Sequence, residues 1–342
     1  MKTTIKDVAK KAGVSAATVS RVVGGYGYVS QLTRNKVLAA VEVLSYLPDS
    51  VARSMVTKST RTIGLVITDI MNPFFAQLAR GVENITWKNQ YTLILANTDE
   101  EVEREKAIIK ALLEKRVDAF IVVPACSKNA PHLEELVRYD IPLVLLDRGV
   151  QGLDVDTVMV DNKKGAYQAV SHLVKLGHRK IGMLLDNLDI STNIERLEGY
   201  RQALTEYGLQ VDENFILSCQ YTRQSAYELV ASMVRKSDRP TALFTANNFM
   251  TIGALRAIQE GGLRIPQNVA LVGFDDLEWT QFGPPQISAI VQPVLEIGEV
   301  AGQRILARIT DGTSAPMEIR LATKFVVRES CGAQLRYSFN EK

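Results

Sequence analysis

Histidine and cysteine are scarce in this chain, with three of each in 342 residues. Cys126, Cys219 and Cys331 are odd in number and far apart, which excludes a disulfide framework and a metal-binding knuckle and fits a reducing compartment. His132, His172 and His178 offer little to catalysis. The last two lie on or just after one helical stretch, SHLVKLGHRK, and no Ser-His-Asp order, phosphate loop or metal-ligand spacing stands out. No catalytic residue, metal ligand or cofactor is therefore expected, and an enzyme is disfavoured. Long apolar runs are also missing, so no segment spans a bilayer. The opening MKTTIKDVAKKAGVS lacks the apolar stretch of a signal peptide. The expectation is a cytoplasmic protein without a membrane partner.

What is present is an ordinary globular composition, 46% hydrophobic and 23% charged, in a chain long enough for two or three domains. The net charge of +2 hides an uneven split. Residues 1–61 carry ten Lys or Arg against Asp7, Glu42 and Asp49, whereas the remainder holds 30 basic and 35 acidic side chains. A basic tip on an acidic body points to a polyanion at the tip.

Up to about Met55 the apolar spacing is helical, and the stretch TKSTRT (57–62) has no periodicity and reads as a linker. Beyond it, strands are predicted at 63–68, 92–97, 119–124 and 142–147, then at 157–160, 180–185, 241–246 and 269–274, with helical patterns between them. Continuous apolar strands bounded by turns suit parallel sheets covered on both faces. This alternation, run twice, predicts two doubly wound parallel-sheet lobes. Ligands of such sheets bind at the carboxyl ends of the strands, so two facing lobes would enclose a cleft.

The N-terminal stretch predicts an all-α helix-turn-helix head. Thr4 and Asp7 have the spacing of a capping box, with the Thr4 side chain accepting from the first free amides. Gly13 ends the first helix. Ser15 then caps a second, Ala16 to about Val23, with Val19, Val22 and Val23 inward and Ala16, Ala17, Thr18 and Arg21 able to face out. Two short helices across a glycine turn form a helix-turn-helix. A third helix is predicted from Ser30, with a stripe of Leu32, Val37, Leu38, Val41 and Leu44 and a stop at Pro48.

The run IKDVAKKAGVSAATVSRVV resembles the head of the LacI/GalR (lactose repressor) family, and VLAAVEVLSYLPDSVARSM continues its third helix and hinge helix. The resemblance implies a DNA-binding repressor with a head at 1–48, a hinge helix and linker at 49–61, and a periplasmic-binding-protein-like core at 62–342. Lobe 1 would take about 62–160 and 292–320, and lobe 2 about 161–290 and 321–332. It places Ala16, Ala17 and Arg21 at base edges in the major groove and Thr18 and Ser20 at phosphates. Thr4, Ser15 and the hinge residues Ala52 and Met55 complete the DNA-facing set. Arg21 suits a bidentate contact to guanine, whereas Ala16 and Ala17 offer only methyl contacts, so hinge and shape readout gain weight. For Met55 a minor-groove wedge and a hinge-to-hinge contact both stand open. So do two readings of the loop Gly24-Gly25-Tyr26-Gly27-Tyr28: a loosened third helix, or tyrosines reaching the DNA backbone.

Blocks such as VDNKKGAYQAVSHLVKLGHRKIGML, ERLEGYRQAL, GLRIPQNVALVGFDDLEW and ISAIVQP extend the resemblance through the core. It implies an effector site of Phe74, Phe75, Asp147, Arg148, Thr192, Arg196, Tyr221, Asn247, Asp275 and Gln292. For Phe75 a core position stands beside ligand contact, and for Asp147 and Asp275 loop capping does. Aromatic faces, carboxylates and an arginine fork suit a sugar or sugar derivative. A purine or other non-sugar corepressor is the alternative effector, and a solute-binding or enzyme core the alternative class. The partners expected are a near-palindromic double-stranded DNA operator and a second copy of the chain, because two-fold symmetry pairs half-sites. The tail GAQLRYSFNEK has one Leu and no heptads, which favours a dimer over a tetramer.

Overall fold

The computed structural model describes residues 3–46, 59–312 and 314–334. Contacts divide the chain into a small unit, Met1–Thr62 with Arg116–Asp118, and a large one made of the rest.

In the small unit, helix α1 spans Ile5–Ala12, α2 Ala16–Gly24 and α3 Gln31–Val43. The Asp7 carboxylate accepts from the Thr4 backbone N–H at 2.8 Å and from the Thr4 hydroxyl at 2.7 Å. These bonds hold its pKa below the ordinary value. The expected capping box of Thr4 and Asp7 is present, and the Thr4 hydroxyl also donates to Asp7. Gly13 adopts φ +66° and closes α1, a conformation that costs a side-chain-bearing residue more. Ser15 caps α2 by accepting from the Thr18 N–H at 3.2 Å, and Ser30 does the same for α3 through Thr33.

Val8, Ala9, Val19, Val22, Val37, Ala40 and Tyr46 form the core of the head. The predicted stripe on α3 needs correction, because Leu32 is 71% and Leu38 49% exposed. At 100° per residue, Val37, Ala40, Val41 and Leu44 share one face, whereas Leu38 lies 100° and Leu32 140° away from Val37. The helix also ends at Val43, with Ser45 at φ +44°, five residues before Pro48. Pro48 and the hinge at 49–55, with Ala52 and Met55, lie outside the described residues.

The end of the predicted linker is tied down by one carboxylate. Asp118 accepts from the Thr60 N–H at 2.7 Å, the Thr60 hydroxyl at 2.9 Å and the Arg61 N–H at 3.0 Å, and also from the Ser59 hydroxyl.

The large unit holds two six-stranded sheets. The first has the order β11-β5-β4-β3-β1-β2. Its strands are β1 (Thr62–Ile67), β2 (Thr92–Asn97), β3 (Ala119–Val122), β4 (Leu143–Leu146), β5 (Asp156–Val160) and β11 (Glu318–Leu321). The second runs β12-β10-β9-β8-β6-β7. It comprises β6 (Ile181–Leu185), β7 (Ile216–Ser218), β8 (Ala242–Thr245), β9 (Ala270–Phe274), β10 (Ser288–Val291) and β12 (Lys324–Val326). The wholly parallel expectation is corrected at one edge, where β12 runs antiparallel to β10. The interior strands β3, β4, β6, β8 and β9 are buried throughout, and the edge strands β2, β7, β11 and β12 are not.

The chain passes between the sheets three times, after β5, after β10 and between β11 and β12. The second passage sends helix Val294–Thr310 back to pack on helix Pro73–Lys88 of the first lobe. The two axes approach so closely that a Cβ on Gly81 would lie 2.2 Å from the Leu295 carbonyl, and one on Gly298 2.3 Å from that of Leu78. Only glycine allows that contact.

Candidate functional site

The carboxyl ends of both sheets face a cavity of about 430 Å³. Asp147 follows β4 and Asp275 follows β9, and each extends the ladder by one bond. The Asp147 N–H donates to Val158 O at 2.8 Å and the Asp275 N–H to Ile290 O at 3.0 Å. Both then take left-handed backbone, φ +69° and +78°, which Asp tolerates better than most residues. Asn247 follows β8 and caps helix Asn248–Glu260 by accepting from the Met250 N–H at 3.0 Å. Gln292 follows β10 and donates to Asp275 at 2.6 Å.

All ten residues expected at an effector site line this cavity. Phe74 and Phe75 sit in the first turn of helix Pro73–Lys88 with rings edge to face, 5.1 Å apart. Phe75 is 2% exposed and belongs to the main core, as its core reading expects, while also lining the cavity wall. Asp275 also meets the capping reading, accepting from the Asn248 N–H at 3.3 Å. Thr192 and Arg196 come from helix Ser191–Glu206, and Tyr221 from the loop after β7.

The two guanidinium groups are engaged by the protein. Arg148 grips Glu100 through two nitrogens, at 2.8 and 3.2 Å, and approaches Asp147 at 3.3 Å. Burial pulls its pKa down, but the charges of Glu100 and Asp147 outweigh this and hold it above the ordinary value. Arg196 lies 3.7 Å over the Phe274 ring and donates to Asn162 at 2.9 Å and to the Ala246 carbonyl. Burial lowers its pKa and raises that of Asp275.

Several lining residues escaped the sequence reading. Asn72 caps helix Pro73–Lys88, donates to the Tyr221 hydroxyl at 2.6 Å and accepts from Asn248 at 3.0 Å, joining the lobes. Asp186 follows β6 as Asp147 follows β4, a position the strand prediction at 180–185 could have flagged. It accepts from Asn247 at 3.2 Å and from Asn193. Burial, and then the charge of Glu100, push its pKa up to about 6. Glu100 lies in the loop after β2, within the acidic run TDEE, where no pattern marks it. Cys219 and Ile190 add apolar wall.

In the head, Ala17 and Arg21 are exposed on α2, opposite Val19 and Val22. Ala16, expected to face outward, is half-buried against the head core. The Thr18 hydroxyl pairs with that of Ser15 at 3.0 Å, and that of Ser20 with the Tyr26 hydroxyl at 2.5 Å. Tyr26 reaches Ser20 by folding its ring over Gly24, where a Cβ would lie 2.5 Å from the ring. Tyr28 is 93% exposed.

A helix-turn-helix unit joined to two lobes around a cavity lined by aromatic rings, carboxylates and amides defines a ligand-responsive transcriptional regulator. Residues 4–49 match the bacterial regulatory proteins of the lacI family, and residues 60–329 match the periplasmic binding proteins and sugar binding domain of that family. The chain belongs to the LacI family. It is 37% identical over 329 residues to the HTH-type transcriptional repressor PurR of Aliivibrio salmonicida, covering 96% of this chain and 98% of that protein. It is 36% identical to the ribose operon repressor of Haemophilus influenzae, over 96% of this chain and 98% of the relative. Among solved structures, the lac repressor dimer bound to operator and the anti-inducer ONPF superposes with a TM-score of 0.86 at 27% identity, covering 97% of this chain and 99% of that one. Among the described residues, no helix is long and apolar enough to cross a membrane.

Proposed function

We propose that this chain is a sequence-specific transcriptional repressor, a cytoplasmic homodimer without catalytic activity. Its affinity for a near-palindromic operator is set by a sugar or sugar derivative held in the cleft. The head reads the operator through Ala17 and Arg21, with Thr4, Ser15, Thr18 and Ser20 near the phosphates and Ala52 and Met55 in the hinge. The observation that carries the effector assignment is the convergence of strand-end carboxylates, amides and aromatic rings on one cavity. Carboxylates and amides accept and donate to hydroxyls, and aromatic faces cover the apolar side of a sugar ring. The ribose operon repressor among the relatives supports a sugar. Effector binding shifts operator affinity to the extent that it prefers one lobe arrangement over another.

A thermal-shift panel of sugars, sugar acids, phosphosugars and purines tests this, because a ligand of the folded state raises its stability. A sugar should raise Tm, lose its effect in Arg196→Ala and Asp275→Ala, and change operator affinity by about 5- to 150-fold. The aromatic rings at Phe74 and Tyr221 and the PurR relative favour one second reading, a purine corepressor. A shift with purines alone would establish that reading and overturn the sugar.

A further inference from the structure

The cavity wall carries four carboxylates, Glu100, Asp147, Asp186 and Asp275, against two guanidiniums, Arg148 and Arg196. With every group ionised the lining bears two negative charges in excess. Arg148 is spent on Glu100 and Asp147. Arg196 donates through Nε to Asn162 and through Nη1 to the Ala246 carbonyl beneath the Phe274 face, so its Nη2 is the guanidinium donor left to a ligand.

Helix N-termini are the usual alternative site for an anion, and here the chain takes up some of their N–H groups itself. Asn72 takes the Phe74 N–H, Asn247 takes the Met250 N–H, Asp275 takes the Asn248 N–H, and the Ser191 N–H goes to Ser127 Oγ at 3.0 Å. The polar groups left over include acceptors. Gln292 must turn its amide nitrogen to Asp275, so its buried oxygen has no partner. Asp186 is 6% exposed and accepts only from the neutral amides of Asn193 and Asn247, so no direct ion pair cancels its charge.

We propose that Glu100 and Asp186 make this cleft a filter against negative charge, so that its effector is an uncharged, hydroxyl-rich compound and not its phosphorylated or acidic counterpart. Glu100 acts by neutralising Arg148, and Asp186 by direct repulsion across the cavity. Charges held among buried groups are weakened far less than in bulk water. The raised pKa of Asp186 reflects the same surplus of negative charge. A ligand rich in donors satisfies the spare acceptors at Gln292 and Asp147, which a phosphate or carboxylate cannot do. The inference rests on the cleft being the effector site.

Isothermal titration of the full-length protein with matched pairs tests it: ribose and ribose 5-phosphate, glucose with glucose 6-phosphate and gluconate, and hypoxanthine and its 5'-nucleotide. The expected result is binding of a neutral member at least about tenfold tighter than its anionic partner, with the ratio narrowed in both Asp186→Asn and Glu100→Gln. The second variant guards against misfolding of the first. Tighter binding of a phosphorylated or acidic member overturns the filter while leaving the sugar reading intact. A preference for the neutral member that neither variant changes overturns the role of these two residues. Preference for hypoxanthine over its nucleotide, with no sugar bound, keeps the filter and removes the sugar reading. Binding by no neutral member overturns the filter together with the assignment of the cleft.

Discussion

Asp186 shows how a single residue links the cleft to the stability of the fold. Its carboxyl keeps its proton up to about pH 6 in the folded chain, against 3.8 for the ordinary value, with Glu100, Arg148 and Arg196 the charged groups around it. An acid whose folded pKa is raised makes the native state progressively less stable as pH climbs from about 4 to 6, and no further above that. Asp186→Asn removes this penalty. In urea unfolding, the stability of the variant relative to wild type should therefore rise by roughly 1–3 kcal/mol between pH 4 and pH 7. A difference that stays flat over that range would show that Asp186 ionises normally. Sequence reasoning found Asp147 and Asp275 because both match blocks of a known family and follow apolar strands. Asp186 follows a strand equally well but matched no block, and Glu100 sits in a loop whose approach to Arg148 depends on how β2 and β4 are placed.

Elements divide by whether local pattern or distant contact decides them. Most buried strands were legible because a strand covered on both faces must be continuously apolar: KIGMLL and VALVGF coincide with β6 and β9 to within a residue, whereas the buried β10 was not predicted as a strand. β7, β11 and β12 were not, since short edge strands are half-exposed and have no such run. In the head, the caps at Ser15 and Ser30 were legible from local chemistry. The outward face of α2 was only partly so, because Ala16 packs inward. Of the two readings of the glycine-rich loop, Tyr26 favours neither as written, for it bonds Ser20 within its own unit. The linker is the clearest difference. Aperiodic and polar, its last residues are held by Asp118, 57–59 positions away in the chain. Asp118→Ala should lower the local stability of this segment by roughly 1–3 kcal/mol and speed tryptic cleavage after Arg61. Unchanged cleavage there would mean that the carboxylate contributes little to holding the segment.

At the scale of the molecule, the two lobes are joined by bonds across the cleft. Asn72 meets Tyr221 and Asn248, the Gly149 N–H meets Ser191 Oγ at 3.2 Å, and Arg320 grips Glu195 at 2.8 and 2.9 Å. Self-association lies at the same scale, and the protein should sediment as a dimer, since two-fold symmetry pairs two heads with two half-sites. A stable tetramer would overturn that expectation. The sequence by itself determined the class of each part: a basic helical head, two alternating α/β series and a family signature spread along the chain. Periodicity, capping and composition are local properties, and they persist wherever the chain lies. The tertiary structure alone decided which charges meet. Glu100 against Arg148, Asp186 against two asparagines and Asp118 against the linker are each brought together by strand order and chain crossings, so their pairing energies exist only once both sheets have formed.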